Sequence, residues 1–118
     1  MKLGVVTHFD AAHSLPGYEG KCRNVHGHTY TLEVIVEGKV NPKTNFVLDY
    51  TELKKILGEV TDNLDHTYLN DLLGYPTCEK IVTYIKEEII KKLSSKKPPI
   101  KLISVKLWEG KGKWVMIE

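Results

Sequence analysis

The residue types that could do chemistry gather in one stretch, Cys22-Arg23-Asn24-Val25-His26-Gly27-His28. His26 and His28 stand two apart at the opening of a run that alternates apolar and polar, and a strand's period of two puts both imidazoles on one face. Two such nitrogens can share a metal ion. His13 closes an earlier alternating run, and three residues separate the Cys22 thiol from His26. Imidazole ligands beside a thiol that can serve as nucleophile or base point to zinc catalysis.

The elements that position these groups follow from periodicity. In residues 3–13 the odd positions are Leu3, Val5, Thr7, Phe9, Ala11 and His13, against Lys2, Gly4, His8 and Asp10 on the even side. This is the pattern of a half-buried strand, with His13 in phase at its far end and His8 on the other face. In residues 26–38 the even positions are His26, His28, Tyr30, Leu32, Val34 and Val36, which predicts a second strand whose buried face both histidines begin. Antiparallel pairing of these neighbours brings His13 beside His26 and His28, provided no bulge intervenes. The connection 14–25, with Pro16, Gly17 and Gly20, is long for a hairpin loop and holds Cys22 above the same spot.

Downstream, Asp49 reads as an N-cap with Glu52 in the capping-box position, opening a helix with the stripe Leu53, Ile56, Leu57, Val60 and Leu64. Residues 65–70 and Gly74-Tyr75-Pro76 break it. Thr77 can cap a second helix with the stripe Cys78, Ile81, Val82, Ile85, Ile89 and Leu93, which makes Cys78 a packing residue. Ile103, Val105, Leu107 and Glu109 fall on one face of a third strand, Gly110-Lys111-Gly112 turns the chain, and residues 113–118 make a fourth. The expected fold is α+β, ordered ββααββ, with two helices on one face of a four-stranded antiparallel sheet. Glu109 is then a carboxylate on a buried face, where it needs a partner.

A chain of 118 residues reads as a single domain, 1–118, too small to enclose a deep cleft alone, so an oligomer is expected. A formal charge of +2 with both signs interspersed is no footprint for nucleic acid, and Lys91, Lys92, Lys96, Lys97 and Lys101 read as a solvated surface. Lys21 and Arg23 read as solvated loop residues that flank the thiol. The two cysteines form no CxxC motif, and neither a leader nor a membrane-length apolar run is seen, so the expectation is a cytoplasmic protein without a disulfide.

Five motifs in order carry a resemblance: Phe9-Asp10-Ala11-Ala12-His13, Cys22 followed after three residues by His26-Gly27-His28, Leu64-Asp65-His66, Pro76-Thr77-Cys78-Glu79, and Glu109 in the third strand. Together they resemble the 6-pyruvoyl-tetrahydropterin synthase family along nearly the whole chain. The three-residue gap after Cys22 resembles the 6-carboxy-tetrahydropterin synthase branch of the queuosine pathway, whereas the pyruvoyl-forming animal enzymes have a longer gap.

The resemblance implies a tunnelling fold, in which trimers join their sheets into a barrel and two trimers stack into a homohexamer with active sites at subunit interfaces. It implies 7,8-dihydroneopterin triphosphate as substrate, and 6-carboxy-5,6,7,8-tetrahydropterin, acetaldehyde and triphosphate as products. His13, His26 and His28 would hold Zn2+ with one position open to substrate oxygens, where the ion acts as a Lewis acid. Cys22 would be the base, and Asp65 with His66 would relay a proton in a neighbouring subunit's site. Glu109 would meet the donor edge of the pterin, two N–H groups matched by two carboxylate oxygens. Relatives often carry hydroxyl residues at both 77 and 78, so here Thr77 alone would keep that contact. The alternatives are pyruvoyl formation, a dihydroneopterin side-chain aldolase, or a non-catalytic zinc-stabilised barrel that binds a pterin or purine. Mere binding requires neither Cys22 nor the Asp65 and His66 pair.

Overall fold

The computed structural model describes residues 1–118. Strand β1 (Lys2–His13) pairs antiparallel with β2 (His26–Glu37) from Lys2 opposite Glu37 to His13 opposite His26, without a bulge. The phase argument for the three histidines therefore holds. β2 pairs in turn with β3 (Lys101–Glu109), and β3 with β4 (Trp114–Ile117), so the sheet order is β1-β2-β3-β4, antiparallel throughout.

Two longer helices, α1 (Tyr50–Thr61) and α3 (Cys78–Leu93), cover one face of this sheet. Leu53, Leu57 and Val60 of α1 and Ile81, Ile85 and Ile89 of α3 are fully buried against Tyr30, Leu32, Val34, Val105 and Leu107 of the sheet. Each such aliphatic side chain contributes about 1.5–3 kcal/mol relative to exposure. The helix starts are where the sequence places them. The Asp49 carboxylate accepts from the Thr51 N–H at 2.8 Å, and the Thr77 hydroxyl accepts from the Lys80 N–H at 3.2 Å. The capping box does not close, because Glu52 turns away from Asp49 to pair with Lys96.

Two features depart from the periodic reading. Leu69–Leu73 forms a one-turn helix, α2, inside the segment read only as a break. Ile103 is skipped in the pairing of β3 with β2, since Val36 faces Leu102 while Ile35 faces Ser104. That bulge brings Leu102, in place of Ile103, against the core, and Val105, Leu107 and Glu109 keep their common face.

The opposite face of the sheet carries no helix. His8 is exposed there as expected, level with Thr31, Trp108 and Trp114, and the Lys106 ammonium lies 4.5 Å and 3.9 Å from the centroids of the two indoles. No helix is long and apolar enough to cross a membrane.

Candidate active site

His13, at the last position of β1, is 1% exposed, and its Nδ1 lies 2.9 Å from the carbonyl oxygen of Pro76. The carbonyl can only accept, so Nδ1 carries the proton and Nε2 presents a lone pair. The same logic applies to His26, whose Nδ1 donates to the Asn24 carbonyl at 2.7 Å. The two Nε2 atoms then face each other at 3.1 Å with no proton between them. His28 completes the group: the ligand nitrogens of all three lie within 4.8 Å of one another, and the buried Nε2 of His28 has no hydrogen-bond partner. Burial, offset in part by Glu109, pushes His28 below the usual histidine range, toward the neutral form that a metal requires.

His13 and His26 aim lone pairs at one partly buried spot where His28 Nε2 is also unpaired, an arrangement that a cation would relieve. Two nitrogens on one tetrahedral zinc lie about 3.3 Å apart, close to the spacing of His13 and His26. The orphaned His28 nitrogen is the observation that fits the metal best, because a buried polar atom left unpaired is costly.

β3 extends as far as Glu109, which pairs with Tyr30 of β2 and turns its carboxylate toward the histidines. One oxygen lies 3.6 Å from His28 Nε2 and the other 3.9 Å from His13 Nε2, too far for hydrogen bonds. The nearer partner is the Lys113 ammonium, 3.1 Å away across the Gly110-Lys111-Gly112 turn. Lys113 is the charged neighbour that strand phase alone did not predict. Its ammonium is held above the usual lysine range by its hydrogen bond and ion pair with Glu109. Cys22 sits half-buried in a single 3-10 turn, Lys21–Arg23, pinned where its carbonyl accepts from the Leu15 N–H at 2.8 Å. Its sulfur is not among the converging ligand atoms. Cys78 packs against the core at the start of α3, and burial, then Glu109 and Glu79, pushes its thiol up to about 12. At neutral pH it stays protonated.

Asp65 and His66 form a separate cluster. The Asp65 carboxylate accepts from the Asp10 N–H at 2.9 Å and lies 2.9 Å from His66 Nδ1, so these sequence neighbours do bond each other. The His66 N–H donates to the Asp10 carbonyl at 2.6 Å, and His66 takes a left-handed backbone conformation with φ 57°, which few residues other than glycine adopt. Its side chain is 78% exposed and lines an open hollow of about 550 Å³ with Asp10, Ala12, Gly27 and Thr29, on the sheet face that bears no helix. The pair groups with Asp10 and is not among the three converging imidazoles, although His28 borders the same hollow.

The Asp10 N–H and then His66 hold Asp65 below the usual carboxylate range, and Asp65 holds His66 above 6.5. The raised histidine favours folding fully below its unfolded pKa and loses that effect as pH rises through its folded value. The depressed aspartate favours folding above its unfolded pKa and loses that effect as pH falls through its folded value. The ion pair is thus strongest between the two folded values. In a titration followed by NMR, His66 is expected to have a midpoint above 6.5, falling back toward 6.5 in Asp65→Asn. A midpoint unmoved by that substitution would show that the pair is not formed in solution.

A three-nitrogen group that could hold a metal ion, at one end of a two-layer antiparallel sheet and faced by a carboxylate, marks this small α+β chain. Residues 2–118 match the family model for 6-pyruvoyl tetrahydropterin synthase, and the chain belongs to that family. An Archaeoglobus fulgidus protein, provisionally designated 6-carboxy-5,6,7,8-tetrahydropterin synthase, is 38% identical over 117 residues, covering 99% of this chain and 95% of that one. A Pyrococcus furiosus protein named dihydroneopterin monophosphate aldolase is 41% identical over 110 residues, covering 93% and 90%. The solved 6-pyruvoyl tetrahydropterin synthase of Caenorhabditis elegans superposes with a TM-score of 0.87 at 27% identity, over 100% of this chain and 94% of that one.

Proposed function

We propose that the chain is a zinc-dependent 6-carboxy-5,6,7,8-tetrahydropterin synthase, converting 7,8-dihydroneopterin triphosphate with release of acetaldehyde and triphosphate. The observation that carries the reading is the trio of converging imidazoles, with His28 Nε2 orphaned, beside the Glu109 carboxylate. When bound, zinc supplies Lewis acidity toward oxygens of the substrate side chain. His13, His26 and His28 would hold it, and the Nδ1 donors of His13 to Pro76 and of His26 to Asn24 fix two of the rings.

The chain's own groups do the rest. Glu109, already oriented by Lys113, accepts the two N–H donors on the edge of the pterin. The Thr77 hydroxyl accepts from the Lys80 N–H and keeps its own proton to donate to the ring. Cys22 removes a proton from a side-chain carbon as general base, and Asp65 and His66 of a neighbouring copy relay it. A homohexamer with shared sites is part of this reading, because His66 is highly exposed and stands in a group separate from the three imidazoles.

A second reading, aldol cleavage of the dihydroneopterin side chain, is favoured by the 41% identity to the Pyrococcus furiosus protein over 93% of the chain. Mass spectrometry of the products decides between them, with the triphosphate and the monophosphate offered separately and chelator-treated protein as the blank. Carboxylated pterin with acetaldehyde is the expected result. A hydroxymethyl pterin with a two-carbon hydroxyaldehyde fragment would establish the aldolase instead. The pyruvoyl compound without acetaldehyde would overturn the branch, and binding without turnover would leave a pterin-binding barrel.

A further inference from the structure

We infer that Asn70 is the positioning residue of the metal site, tying the strand end that carries His13 to the segment that fixes its ring. The inference rests on the zinc reading above. Ser14, directly after His13, is 5% exposed, and both of its backbone groups go to one side-chain amide. The Ser14 N–H donates to Asn70 Oδ1 at 3.0 Å, and Asn70 Nδ2 donates to the Ser14 carbonyl at 2.8 Å. Only one orientation of the amide satisfies both, since a backbone N–H cannot donate to an NH2 group. The amide thus continues the strand where no further strand partner exists. The Ser14 hydroxyl, 3.3 Å from Asn70 Nδ2, is also 2.7 Å from the Tyr68 hydroxyl.

Asn70 lies in α2, which cannot hold its own position. A five-residue helix is far below the length at which helices are stable alone, and Tyr68 provides no side-chain cap. What holds α2 is the bond from the Ala12 N–H to the Thr67 carbonyl at 3.0 Å, the fully buried Leu69, and Asn70. The same segment then delivers the Pro76 carbonyl to His13 Nδ1. One amide therefore governs the backbone after His13 and, through α2, the acceptor that sets its tautomer. A side chain at this place acts on where His13 Nε2 points and does not touch the ion.

The test compares wild type, Asn70→Ala, Asn70→Asp and Ser14→Ala, measuring zinc affinity by competition with a chromophoric chelator and thermal midpoints with and without zinc. Asn70→Asp keeps the acceptor for the Ser14 N–H and loses the donor. Ser14→Ala keeps both backbone bonds. Asn70→Ala is expected to weaken zinc binding about 10-fold, the low end for groups that orient a ligand, with Asn70→Asp similar and Ser14→Ala near wild type. The stabilisation that zinc adds should shrink in step. A merely structural residue would lower the midpoints of metal-free and loaded protein alike and leave the chelator competition unchanged. Undiminished zinc affinity in a folded Asn70→Ala or Asn70→Asp protein would overturn the inference. Absence of zinc binding in wild type would instead sink the metal reading beneath it.

Discussion

Cys22→Ala is expected to retain zinc and to bind the pterin while losing turnover about 10²–10⁴-fold, the range for removing a positioned acid or base. Binding should survive because the converging nitrogens exclude the thiol, and because Glu109 is held by β3 and by Lys113, on neither of which Cys22 lies. Metal content, pterin affinity and single-turnover rate, measured on one preparation, separate the roles. Loss of zinc together with activity, restored by added metal, would make Cys22 a ligand and reject its assignment as base. Unchanged turnover would remove it from the mechanism altogether.

A second large effect is expected from mixing two defective chains. Cys22→Ala and His66→Ala should each be nearly inactive, yet their co-expressed mixture should regain activity, since random assortment leaves roughly one shared site in four with both groups intact. The geometry behind this is the separation of the clusters. His66 groups with Asp10 and Asp65 at the β1 edge, whereas the three imidazoles and Glu109 form the other group. A mixture no more active than the sum of its parts would mean that one chain supplies the whole site, against the exposed placement of His66.

What the sequence made legible was governed by period. β1 and β2 alternate over twelve residues each and pair without slippage, so the meeting of His13 with His26 and His28 could be derived from phase and direction. The stripes of α1 and α3 are long enough to fix their buried faces, and Asp49 and Thr77 announce their starts. The remainder lies in tertiary choices that no period encodes. α2 is shorter than two turns, too little for a stripe to emerge. The Ile103 bulge leaves no local mark, since Leu102 and Ile103 are equally apolar. Glu52 had two uses open to it, and Lys96, far along the chain, took it from the capping box. For Glu109 the need of a partner was legible and Lys113 was not, although an ion pair across a Gly-Lys-Gly turn is a signal that inspection of turn charges could have found.

Both tryptophans of the chain stand side by side on the uncovered face of the sheet, with the Lys106 ammonium against them. Their side chains point away from the layer that holds the histidines and Glu109. Intrinsic indole emission is therefore a natural reporter for this protein of whatever approaches or encloses that face. It reports poorly on the metal and the pterin. Since Trp114 is 53% exposed, its spectrum should register a change in water contact if another chain packs on that face. Association can thus be followed by fluorescence on unlabelled protein, while chemistry at the far side of the sheet needs a different probe.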